Sequence, residues 1–122
     1  MFGISLIMVA QAAFGSTSIE VPELMTEPWR QYLICVQTQT NGPSKIVHPD
    51  SEVYEEKLRQ AVAACEEVRA TSYSTADAAL KADAQYAEDE HRANVINRAL
   101  DGVVDSQRAL HAVMYGSPAA ND

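Results

Sequence analysis

From Ala76 to Tyr115 the chain contains no proline and a single glycine, Gly102. A stretch so free of breakers reads as helix. Left straight, it would measure about 60 Å at 1.5 Å per residue. That is longer than a compact domain of 122 residues can cover. The sequence therefore predicts a long C-terminal helix that bends near Asp101-Gly102, projects, or is covered by a second copy. Its first half, "ADAALKADAQYAEDEHRA", has only Leu80 and Tyr86 as large apolar residues and rests on helix propensity. Its second half aligns Ile96, Leu100, Val103, Leu110 and Met114 on one stripe. Gly116 ends it, and 116–122 reads as a disordered tail.

Two helices precede it. Thr26-Glu27-Pro28-Trp29 looks like a helix start, with Thr26 as cap and proline in the first turn. Asn41-Gly42-Pro43 stops that helix, although "YLICVQT" would also suit a buried strand. In the next, Tyr54, Leu58, Ala61, Cys65 and Val68 step along one face, behind a cap at Asp50 or Ser51. "RATSYSTAD" reads as a break or kink before the third helix. The expected fold is all-α: a small bundle or hairpin of about three helices, occupying 27–115 as one domain.

The opening "MFGISLIMVAQAAFGSTS" sets the compartment. Residues 2–14 form an apolar run too short to span a bilayer, which takes about 20 residues. The run fits the core of a secretory signal, with small residues after it, so 1–15 reads as a signal peptide and 16–26 as a linker. A signal also needs a basic head, and no positive charge precedes Arg30. The rival readings are an uncleaved membrane-retained segment, a buried N-terminal helix, or a translation start lying upstream.

Export decides what Cys35 and Cys65 are. They lie on consecutive predicted helices, and an even count in an oxidising compartment reads as a disulfide between the first two helices. In a reducing compartment they would be two buried thiols. There is no C-x-x-C for a redox enzyme, and two cysteines alone make no structural zinc site.

The formal net charge of −8 and pI near 4.7 disfavour nucleic acid and anionic membrane surfaces. No nucleophile elbow, zincin, phosphate-loop or Rossmann pattern occurs, so the chain reads as non-enzymatic with no cofactor. Weak metal candidates are Glu88 with His91, one E-x-x-H on an acidic segment, and His111 with Met114. Each reads more simply as a solvated face or a core position. Trp29 and Tyr32, with Ile96, Leu100, Val103 and Leu110, form a candidate contact surface. The expected role is contact with a protein partner or a second copy, with no membrane span once the signal is removed. A metal-binding or stress-response module is the alternative.

The helix "PWRQYLICV" with one cysteine, followed by "AVAACEEVR" with the other, resembles small exported two-cysteine helical proteins of proteobacteria over about residues 28–70. The resemblance implies an α-helical, disulfide-bridged periplasmic protein without an assigned activity. No functional residue carries over from it.

Overall fold

A computed structural model describes residues 5–8, 19–43 and 46–116. Four helices dominate it: α1 (Thr26–Asn41), α2 (Ser51–Ala64), α3 (Glu66–Lys81) and α4 (Asp89–Tyr115). Two short strands precede them, β1 (Ser5–Met8) and β2 (Ile19–Pro22). They pair antiparallel with Leu6 opposite Val21 and Ile7 opposite Glu20. Apart from Ser5–Met8, the expected signal segment lies outside the described residues, as does the tail after Gly116. The linker, expected to pack Val21, Leu24 and Met25 on the body, does so for Val21 and Met25, while Leu24 is half exposed. Its described part forms β2 and a 3-10 turn over Glu23–Met25, and Val21 and Met25 are fully buried.

Local chemistry explains most boundaries. Glu27 and Pro28 occupy the first turn of α1, where an acid suits the helix dipole and proline loses no hydrogen bond. Thr26, expected as the cap, is inside the helix, and its hydroxyl is buried without a partner. Gly42 closes α1 at φ +74°, a conformation open to glycine, with its N–H donating to the Thr38 carbonyl. Asp50 caps α2 as expected: its Oδ1 accepts from the N–H groups of Glu52 and Val53, each at 3.0 Å.

Four boundaries differ from the sequence reading, the first being the kink at Cys65 between α2 and α3, where the sequence reads one helix. The Ser/Thr run does not break the chain, because it lies within α3. There Ser72, Ala76 and Leu80, at helical spacing, form one buried stripe. The break comes instead between Lys81 and Asp89, where Asp83 Oδ1 accepts from the Gln85 N–H and a 3-10 turn buries Tyr86. As a result, the single long helix expected after Ala76 is two helices. Finally, α4 runs unbroken through Asp101-Gly102 for about 40 Å. A helical glycine costs only about 1 kcal/mol relative to alanine. Burial of Ala99, Leu100 and Val103 on either side outweighs that.

The core gathers Val21, Met25, Trp29, Tyr32 and Val36 with Tyr54, Leu58, Cys65, Leu80, Tyr86, Ile96, Leu100 and Val103. Two hydrogen bonds lock α4 to its neighbours: Trp29 Nε1 donates to the Ala99 carbonyl at 2.9 Å, and Tyr54 Oη to the Gln107 carbonyl at 3.2 Å. Tyr32 is different. It is fully buried under the Arg69 guanidinium, and its hydroxyl has no partner. An unpaired buried hydroxyl carries a desolvation cost. Tyr32→Phe should therefore hold or raise the unfolding free energy by about 1 kcal/mol in urea titration. A loss of that size would mean the hydroxyl is bonded.

Cys35 and Cys65 are joined, with Cα atoms 6.0 Å apart. The bridge does not link the first two helices as expected. Cys65 ends α2 and starts α3, so the bond ties α1 to the junction where α3 begins. There the Cys65 N–H donates to Ala61 and its carbonyl accepts from the Arg69 N–H, carrying helical hydrogen bonding across the kink.

Candidate functional site

The residues proposed as a contact surface are mostly interior. Trp29, Tyr32, Ile96, Leu100 and Val103 are all buried, and only Leu110 is partly open. Helices packed on both sides of the stripe account for this. The first half of α4 is covered by α1 and α3 within one chain, with no second copy required. What stays uncovered lies further on. Val113 and Met114 are about half exposed, at 53% and 48%. They share the last turn of α4 with Tyr115, beside a loop whose Ile46 is 68% exposed. The periodicity of α4 predicted a buried stripe out to Met114. It did not reveal that α4 outruns the helices packed against it.

This end of the molecule is organised by aromatic rings. The His111 imidazole stacks on Tyr54 at 4.4 Å between centroids and leans on Tyr115 at 5.1 Å. Its Nε2 lies 2.8 Å from the His48 carbonyl, which can only accept, so that nitrogen carries the proton. Tyr115 Oη donates to the Val47 carbonyl at 3.0 Å. Together these bonds fasten the 46–50 loop to α4. Burial, with Glu55 alongside, pushes the Tyr54 phenol up to about 12. The phenol therefore stays protonated and donates to Gln107.

The metal candidates do not converge. His111 turns into the loop, while Met114 faces solvent. His91 stacks over Tyr86 at 5.9 Å, and Glu88 stands exposed at the N-cap of α4. Among the described residues no three His, Cys, Asp or Glu side chains are placed to hold a metal ion.

A trough runs from this end along the seam of α2 and α4. It consists of two adjoining cavities of about 500 and 390 Å³ that share Glu55, Arg59 and Arg108. Its floor is apolar: Leu58 and Val62 of α2, Val104 of α4 and the edge of His111. The rims carry Glu52, Glu55 and Glu56 on one side and Asp101 and Asp105 on the other, against two guanidiniums. Both guanidiniums are already engaged. Arg59 pairs with Glu56, while Arg108 Nε reaches across to both oxygens of Glu55 at 3.1 and 3.0 Å. The sequence showed these acids only as the outer face of two helices. That they line facing walls follows from the packing. No family model, curated protein or solved structure matches the chain.

Proposed function

We propose that this chain is a small exported helical protein, held folded by its disulfide, that acts by gripping another protein and not by catalysis. The observation that carries the reading is the uncovered apolar end. Ile46, Val113, Met114 and Tyr115 gather at one end of the fold, whereas the other exposed large apolar residues, Leu24, Ile34 and Val53, lie on other elements, and clustered exposed apolar groups mark contact sites. A rigid backbone supports them, since His111 and Tyr115 hold the loop in place.

Export is supported by the paired cysteines, which persist in oxidising compartments. It is also supported by the apolar run at the opening of the sequence. No helix among the described residues is long and apolar enough to cross a membrane. A partner of a different kind suits the surface better than a second copy, because two chains of charge −8 repel. Photo-crosslinking residues placed at Val113 or Met114 in living cells test this. The expected result is an adduct of the chain with a different protein. Adducts at neither position, with the chain monomeric in sedimentation, would contradict it.

A further inference from the structure

We propose that the trough between α2 and α4 receives a basic amphipathic helix of the partner protein; this rests on the contact reading above. Two features of the trough define the occupant. First, both walls are helices, so their main-chain groups are already bonded along each helix. An added strand would find no free N–H or C=O to pair with, so the occupant must be held by side chains alone. That is the mode of a helix in a groove, with apolar anchors at i, i+3 or i+4.

The floor presents the half-buried Val62 of α2 and Val104 of α4, over Leu58 packed in the core beneath them. Second, five carboxylates on the rims face two guanidiniums that carboxylates have already engaged. Lysine or arginine flanking an apolar stripe would meet those carboxylates, and an acidic helix would be repelled. Four of the five acids are ion-paired, Glu55 and Asp105 with Arg108, Glu56 with Arg59 and Asp101 with Arg69, and Glu52 alone has no cationic partner among the described residues. Five carboxylates against three guanidiniums still leave the trough negative, and such largely exposed pairs exchange at little cost. The Arg108–Glu55 link crosses the trough, but both partners are about half exposed, so opening it costs little.

The test uses the oxidised full chain, labelled with nitrogen-15. It is titrated with a synthetic helix of about 18 residues, leucine on one stripe and lysine elsewhere, and with its glutamate counterpart. The expected result is amide shifts confined to 52–62 and 101–111 with the lysine peptide, and none with the glutamate peptide. Glu52→Lys with Asp105→Lys should weaken binding roughly tenfold, with the chain still fully folded at the titration temperature. Val104→Ser, a change on the floor, should weaken it as well. Shifts elsewhere, equal binding of both peptides, or affinity indifferent to the rim charges would overturn the proposal. A concentration-dependent dimer that shifts the trough would also overturn it, by assigning the trough to a second copy. Crosslinks from Val113 or Met114 with a silent trough would remove this proposal and leave the contact reading standing. Silence in both experiments removes both.

Discussion

Replacing Cys35 and Cys65 by alanine should lower the melting temperature by about 15–20 °C. The bond closes a loop of sequence separation 30. On the chain-entropy argument such a loop contributes roughly 3–4 kcal/mol by restricting the unfolded chain. Small domains hold only 5–15 kcal/mol in total, so this is a large share. Position adds to the effect. Cys65 is fully buried at the kink between α2 and α3, and the bond anchors that kink to α1. Calorimetry of the oxidised protein, the reduced protein and the double alanine variant makes the comparison. The reduced protein should melt near the double variant. Equal melting of all three would show that the kink is held by packing alone.

Arg92→Met should come second, with a fall of roughly 10 °C. The Arg92 side chain is almost fully buried and forms the knot that breaks the long helix. Its Nε donates to Asp77 at 2.6 Å, and its other nitrogens donate to Asp89 at 2.7 Å and to the Tyr86 carbonyl at 2.9 Å. The Asp77 and then the Asp89 carboxylate hold the guanidinium proton even more firmly than usual. Methionine fills similar space but leaves the buried Tyr86 carbonyl without that donor. Amide exchange at 82–88 should therefore quicken more than exchange in α1. Arg92→Lys should recover less than half of the loss, because one ammonium cannot replace a planar fork. A melting temperature within about 2 °C of the parent would show that the turn is held by Asp83 and Tyr86 alone.

These two sites show which parts of the fold the sequence carries openly. Of the stripe Tyr54, Leu58, Ala61, Cys65 and Val68, the first four are buried and Val68 is half-buried, because periodicity reports the face that packs although it does not show the kink at Cys65. The cysteine pair was legible from count and spacing. The chain break was not. Gly102 carries the stronger local signal, yet burial on both sides of it overrides its small cost. The real break depends on Arg92 reaching back to Asp77, and no local pattern encodes such a bond. By sequence, Trp29 suits either the core anchor of its helix or a contact surface. The deciding fact is its hydrogen bond to Ala99, a residue 70 positions away. The trough was invisible for the same reason. Glu55 and Asp105 look like ordinary solvent-facing acids until α2 and α4 set them on facing walls.

The central claim is that this protein works as a covalently stapled helical body in an oxidising compartment. Thiol titration addresses it most directly. The chain is expressed from its natural gene in its own host, recovered with free thiols trapped at lysis, then unfolded without reductant. The account predicts no titratable thiol, with two appearing after reduction. Two titratable thiols before reduction would contradict it, removing the staple and the export reading together.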